Sequence, residues 1–363
     1  MLTLGIETSC DETSCAVLFA GGRDGSKVLS NIVSSSLFRH QPFGGVVPEI
    51  ASRHCLEQID FVFQEALSAA KVKARALDLI AVTHGPGLIG SLLVGVSFAK
   101  ALAYRLKIPL IGVNHLEAHL SANFIGKTGP KKFVGLLVSG GHTSLSFHQN
   151  GKVTLLGATV DDAAGEAYDK VAKLLGLGYP GGPAMDRLAA KGNPKKVPFT
   201  EPKQKGKFDF SFSGIKTAVL YAVQKQKCHP EDVRSTDEGS RRSFANAQDY
   251  PLPSAFIRDM AASFQEAVVK WLVKKTLAAA DDKKVRDIVA GGGVSANSAL
   301  RKSLTEEGAA RGLNVWFPPG SLTTDNAAMI ARRGLELYKT KSVKREQNVW
   351  KMTGLPNLAM GEV

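Results

Sequence analysis

Apolar runs divide the chain before any single residue is considered. "LTLGIET", "SCAVLFA" and "VLSNIVSSS" are short β-type runs set apart by polar or glycine-rich turns. A helical pattern follows over about 49–71, then a strand "LDLIAVTHG", a helix over 91–105, a strand "PLIGVN" and a helix beginning "HLEAHL". The order is β-β-β-α-β-α-β-α. A similar order restarts at Lys132, where "FVGLLVS", "HTSLSFHQ" and "VTLLGAT" read as three strands, with helical stretches near 165–175 and 254–280 after them. It closes with strand "VRDIVAG", a helix over 296–311, strand "LNVWFP" and a helix over 325–338. A repeated α/β pattern predicts two similar lobes, 1–131 and 132–340, with a cleft between them. The halves repeat in pattern and not in sequence.

Two segments stand apart from this pattern. Residues 228–253 are polar, rich in charge and poor in periodicity, which predicts a mobile loop inserted before a helix. The basic tail, 341–363, reads as a solvated terminus or a nucleic-acid contact. Residues 79–99 carry no Asp, Glu, Lys or Arg, yet His84, Pro86 and four glycines break them into strand, loop and helix, so no membrane span is expected. The N-terminus lacks the basic and apolar regions of a signal peptide.

Composition adds one directional fact. At 44% apolar and 22% charged, the chain is of the ordinary globular type, and 363 residues suffice for two or three compact units. Lys plus Arg number 46 against 33 Asp plus Glu, a net +13 that favours a polyanionic partner such as nucleic acid or an acidic membrane surface. Cys10, Cys15, Cys55 and Cys228 form no C-x-x-C pair or disulfide framework, which points to a reducing cytoplasm.

The candidate chemistry begins with "VNHLEAHL", 113–120. His115 and His119 lie one helical turn apart and can reach one metal ion, although such a pair also occurs simply lining a helix. In the zincin pattern the glutamate adjoins the first histidine; Glu117 is two residues on, about 200° round from His115, and is badly placed as a protease base. "VSGGHTSL", 138–145, puts Gly140 and Gly141 in a hairpin turn, where free N–H groups, with the Ser139 and Thr143 hydroxyls, suit an anion; an ordinary turn is the alternative. "VAGGGVSANSALR", 289–301, is a strand, a glycine turn and a helix, a geometry that suits a nucleotide phosphate, with Asn297 available to a base or ribose. It has neither G-x-G-x-x-G nor the Walker lysine. Asp169 and Asp186, on helices flanking a Pro-Gly-Gly-Pro turn, could bind ribose hydroxyls or be solvated helix carboxylates. Glu7, Asp11 and Glu12 cluster in the first turn, where carboxylates could orient a substrate or a metal-bound water. Asp325 reads as a helix N-cap.

Taken together, "GIETSCDETS", "VNHLEAHL", "VSGGHTSL", "DDAAGEAYDKVAKLLGLGYPGGP", "FDFSFSGIKT", "GGGVSANSALR" and "TDNAAMIA" closely resemble the universal tRNA threonylcarbamoyladenosine transferase family, in its bacterial branch. The resemblance runs from about residue 2 to 335. It implies a two-lobed actin/Hsp70-like (ASKHA) fold, in agreement with the doubled pattern. It implies a metal, Fe2+ or Zn2+, held by His115, His119 and Asp325, so that the last would be the third ligand. It places the threonylcarbamoyl-adenylate against Ser139, Gly140, Gly141, His142 and Thr143, with its adenosine held by Asp169, Gly182, Asp186 and Asn297. The implied reaction moves the threonylcarbamoyl group to N6 of adenosine 37 in tRNAs that read ANN codons and releases AMP, with Asp11 or Glu12 as candidate bases. Implied partners are tRNA, a smaller TsaB-like paralogue, a TsaE-like ATPase and a TsaC-like supplier of the adenylate. The rival readings are an ATPase or sugar kinase of the same fold, a zinc endopeptidase and a non-catalytic tRNA scaffold; imidazole ligands weigh against phosphoryl transfer by that fold, which ordinarily uses carboxylates and magnesium.

Overall fold

The structure, a computed structural model, describes residues 1–21, 25–227, 252–340 and 351–362. All but the last two residues of the expected 228–253 loop lie outside the described residues. In chain order the first half comprises β1 (Leu2–Glu7), β2 (Glu12–Gly21), β3 (Gly25–Ser35), a short α1 (Leu37–His40), α2 (Pro48–Ala70), β4 (Leu79–Gly85), α3 (Ile89–Leu106), β5 (Leu110–Asn114) and α4 (His115–Ser121). The second comprises β6 (Lys132–Val138), β7 (Thr143–Gln149), β8 (Lys152–Ala158), α5 (Ala164–Leu174), α6 (Gly181–Ala189), α7 (Ser213–Lys227), α8 (Ser254–Lys283), β9 (Asp287–Gly291), α9 (Ser298–Ala310), β10 (Asn314–Trp316) and α10 (Ala327–Thr340).

The two sheets are topological copies. One runs β3-β2-β1-β4-β5 and the other, in the same sense, β8-β7-β6-β9-β10. In each, the first three strands form an antiparallel meander and the last two add in parallel. The central parallel strand β4 is buried at every residue, as a strand covered on both faces must be. Its Ile80 and Val82 join Leu4 and Ile6 of β1 in a core closed by Val62 and Phe63 of α2 and Val96 and Ala99 of α3. Each such fully buried aliphatic side chain stabilises by roughly 1.5–3 kcal/mol. Helix α3 is the one described helix long and apolar enough to cross a bilayer, and it packs Leu92, Val96, Ala99 and Ala103 inward.

Three features depart from the reading of the sequence. Helix α7 arises where no element was expected; Ile215, Val219 and Val223, four residues apart, form its buried stripe. Helix α10, which chain order assigns to the second half, lies on the first sheet. Its Ala327, Ala328 and Ile330 pack against Leu79, Ala81, Ile111 and Val113. A Cβ on Gly5 would stand 2.0 Å from Ala327 O, and one on Gly334 2.3 Å from the Ala81 Cβ, so both glycines are needed for this close approach. The third departure is part of the tail: within 351–362, Leu358 and Met360 are buried although most of their neighbours are exposed, and the basic stretch 341–350 lies outside the described residues. Leu355 N donates to His84 O at 2.7 Å, Asn114 Nδ2 to Ala359 O at 2.8 Å and Gly361 N to Glu117 Oε1 at 2.9 Å.

Acid is expected to weaken this fold through His148 of β7. Its ring stacks on Phe133 at 4.3 Å and shares a 2.9 Å hydrogen bond with Ser146 Oγ. Burial, and then the charge of Arg333, pushes its pKa down to about 3. The unfolded chain therefore binds a proton near pH 6.5 that the folded one refuses, so stability is full above 6.5 and declines as the pH falls toward 3. Between pH 6.5 and 5 the wild type should lose about 2 kcal/mol that His148→Gln retains. Urea midpoints of both proteins at the two pH values check this; equal losses would remove His148 from the acid response.

Candidate metal centre and cleft

Strand β5 ends at Asn114, whose Oδ1 accepts hydrogen bonds from Leu116 N (3.0 Å) and Glu117 N (3.4 Å) and so starts α4. At seven residues α4 could not persist alone; every residue of it is buried between the sheets and α10. Its two histidines turn the same way. His115 Nε2 lies 3.2 Å from His119 Nε2, and Asp325 Oδ1 lies 3.2 Å from His119 Nε2 and 3.6 Å from His115 Nε2.

These distances suit a cation. Ligands about 2.1 Å from a tetrahedral ion stand about 3.4 Å apart. The three donors all lie within 4.8 Å of one another and form a group of two imidazoles and a carboxylate able to hold a metal ion. Asp325 is not the helix cap expected of it: Asn326 Oδ1 accepts from Met329 N at 3.1 Å, which leaves the aspartate free to face the histidines.

The orientation of His115 comes from Glu7, at the end of β1. Glu7 Oε2 lies 2.8 Å from His115 Nδ1 and accepts from Thr83 Oγ1 at 2.7 Å; Ser9 N donates to Glu7 Oε1 at 2.6 Å. Nδ1 faces Glu7 and Nε2 faces the ligand group, so the neutral ring protonated at Nδ1 would offer its Nε2 lone pair to an ion. Burial opposes charge here, but the Glu7 and Asp325 carboxylates raise the His115 pKa to about 9, and the histidine in turn lowers those of Glu7 and Asp325. Glu7 was grouped by sequence with Asp11 and Glu12. The fold separates it from them, because it closes β1 beneath a helix more than a hundred residues away, a pairing that carries no local signal. Glu7→Gln should weaken metal binding about 10- to 100-fold, read by titration against a chelator of known affinity; wild-type affinity would deny Glu7 any hold on the ligand.

Asp11 and Glu12 remain in the turn. Burial, then the Asp325 and Asp11 carboxylates, pushes the Glu12 carboxyl well above its usual range. Glu117 faces away from the ligand group, as its spacing predicts, and pairs with Arg333 of α10.

The second lobe supplies the opposite wall. The turn between β6 and β7 is closed by Ser139 N donating to His142 O (2.8 Å) and His142 N to Ser139 Oγ (3.1 Å). A Cβ on Gly140 or Gly141 would meet nothing within 4 Å, so this backbone is open to a ligand. Burial, then the neighbouring His115 and His119, lowers the His142 pKa to about 4. Thr143 is turned inward, its hydroxyl accepting from Ala164 N at 2.8 Å at the start of α5. Asp169 Oδ1 accepts from Gly181 N at 2.7 Å, beside Gly182. Asp186 accepts from Ser298 N (3.1 Å), Ser298 Oγ (2.8 Å) and Asn297 Nδ2 (3.2 Å), while Asn297 Oδ1 caps α9 through Leu300 N at 3.0 Å. Asp186 and Asn297 are thus one network, with Asp169 and Gly182 at the junction of α5 and α6. Sequence missed Gln265 of α8, which donates to Asp186 at 3.1 Å and accepts from Asn297 at 2.7 Å.

Comparison with known proteins identifies the fold and the family. HypF of T. kodakarensis has the same fold, with a TM-score of 0.61 at 15% identity over 95% of this chain and 48% of that one. The tRNA N6-adenosine threonylcarbamoyltransferase of Thermosipho africanus is 48% identical over 361 residues, covering 99% of both chains. The enzyme of the same name from Clostridioides difficile is 44% identical and covers 100% of this chain and 99% of its own. The family profile of TsaD, tRNA N6-adenosine threonylcarbamoyltransferase, matches residues 27–332. With its doubled actin/Hsp70-like sheets, its match to the family profile and a similarity to these enzymes that extends over nearly its full length, the chain belongs to the TsaD family of tRNA N6-adenosine threonylcarbamoyltransferases.

Proposed function

We propose that the protein transfers a threonylcarbamoyl group from threonylcarbamoyl-AMP to N6 of adenosine 37 in tRNAs that read ANN codons. The observation that carries this reading is the convergence of His115, His119 and Asp325 in a chain of this family. In the reaction, N6 bonds to the carbamoyl carbon, the bond from that carbon to the phosphate oxygen breaks, and AMP leaves. A divalent ion, Fe2+ or Zn2+, on those three residues would supply Lewis acidity toward the carbonyl or an anchor for the threonyl carboxylate.

The chain's own residues supply the rest. The open Gly140–Gly141 backbone and Ser139, with His142, receive the acyl-phosphate part, while the buried Thr143, bonded to Ala164 N, supports the turn from behind rather than meeting the substrate as its place in the motif implied. Asp169, Gly182, Asp186 and Asn297 receive the adenosine; the existing bonds of Asp186 and Asn297 hold both rigid and leave lone pairs for ribose hydroxyls. N6 of adenine is a weak nucleophile and must lose a proton as the new bond forms. Asp11 or Glu12 takes it.

The net charge of +13 suits tRNA phosphate. A TsaB-like paralogue, a TsaE-like ATPase and a TsaC-like source of the adenylate complete the assignment, in the cytoplasm. The paired helices α2 and α3 expose Leu56, Phe61, Ile89 and Leu93, a surface that suits a protein partner. The test is transfer of labelled threonine from threonylcarbamoyl-AMP to unmodified tRNA by this protein with its partners. Label in the tRNA that depends on this protein is the expected result; none, with metal bound and partners present, overturns the assignment.

A further inference from the structure

The segment that follows β3 has no role in the chemistry above, yet it is tied to it. Glu12 pairs with Ser35 across the β2–β3 ladder, and Asp11 O accepts from both Ser36 N (2.9 Å) and Ser36 Oγ (2.8 Å). From this anchor the chain makes α1 and a 3-10 turn, Gln41–Phe43, that ends on Gly44 at φ +66. The turn reaches the other lobe: Gln41 Nε2 donates to Tyr179 O at 3.5 Å, and a Cβ on Gly44 would stand 3.3 Å from Lys173 Nζ. Between them lies a cavity of about 240 Å³ lined by Gln41, Phe43, Asp169, Lys173 and Tyr179, with no metal ligand in its wall.

Phe43 is 62% exposed and its neighbour Phe38 63%. Neither ring is buried by the fold, and each is held on a short, well-anchored turn at the mouth of the cleft. A base in a structured RNA loop must leave its stack before its N6 can enter such a cleft, and proteins that receive unstacked bases do so on aromatic faces beside a cation. Phe43 with Lys173 is that combination, in the wall of one cavity and outside the ligand group.

We infer that Phe43 is the stacking platform for a base that flanks the target adenosine in the tRNA loop, with Lys173 against the adjoining phosphate. The inference rests on the transfer reading above and adds to it the place where the loop is opened. The occupant is single-stranded RNA: an aromatic face paired with an ammonium group suits a base and its phosphate better than the apolar face of a protein helix.

The experiment measures transfer to an unmodified anticodon stem-loop RNA, with the same partner proteins present, by wild type, Phe43→Ala, Phe43→Leu and Phe43→Tyr, with bound metal assayed in each. Ala and Leu should raise KM about tenfold to a hundredfold at unchanged metal content, because Leu restores apolar volume without a ring face, while Tyr stays within about threefold of wild type. An RNA abasic on one side of the target adenosine should reduce wild type to the level of Phe43→Ala and leave Phe43→Ala unchanged. Wild-type KM in the Ala and Leu variants, or equal losses on both RNAs, overturns the platform. Absence of transfer by the wild type overturns instead the function on which it rests.

Discussion

His115→Ala is expected to remove metal binding and lower transfer by on the order of a thousandfold or more, the scale of several kcal/mol of electrostatic stabilisation lost at the reacting carbonyl. The substitution takes one of three donors and leaves Glu7 buried without its imidazole partner. His119→Ala should be as severe. The double variant should be hardly worse than either single one, because residues that act as one unit are not additive. Measured rates with independently measured metal content decide the matter. A His115→Ala protein that binds no metal yet transfers at the wild-type rate would sink the role given to this group.

Arg333→Met is expected to have the largest effect on stability. On α10, Arg333 holds Glu117 of α4 through Nε at 3.0 Å and through a second, closer nitrogen, and reaches Glu336 at 3.3 Å. Glu336 also accepts from Ser121 Oγ at 3.0 Å and pairs with Arg332 at 3.1 Å. Burial disfavours the guanidinium charge, but Glu117 and then Glu336 more than offset it and raise the Arg333 pKa. Met in its place leaves the Glu117 carboxylate buried with the Gly361 N–H as its remaining partner, at a cost of about 3–5 kcal/mol. Glu117→Gln with Arg333→Met removes both charges and should recover most of that loss, since a neutral pair of similar volume has no ion to strand. Urea unfolding of the wild type and these two variants tests this. A loss under about 1 kcal/mol for Arg333→Met would show that water reaches Glu117 and replaces the arginine.

The same region shows what a sequence can reveal. Strands and the lobe repeat were legible because an alternating or unbroken apolar run reports its own burial, as in "LIAVTHG" of β4. The histidine pair was legible because helical spacing is local, and it put Glu117 correctly on the far side. Asp325 entered through the family resemblance, and spacing alone assigned it a capping role that Asn326 fills. Glu7, Arg333 and the Ala359–Gly361 segment were not legible. Each acts across a separation of 100 residues or more, and nothing in a carboxylate, a guanidinium or a run of small residues names its distant partner.

The return of α10 and the tail to the first sheet has a consequence for how the protein is made. The N-terminal lobe leaves the ribosome with its two histidines in place but without Asp325, without Arg333 and without the residues that hydrogen-bond to Asn114 and Glu117. Its face opposite α2 and α3 stays uncovered until the second lobe has been synthesised behind it. The ligand group is therefore not closed by the first lobe alone; it waits for Asp325, and a product that stops before that residue carries both histidines and lacks the third donor they face.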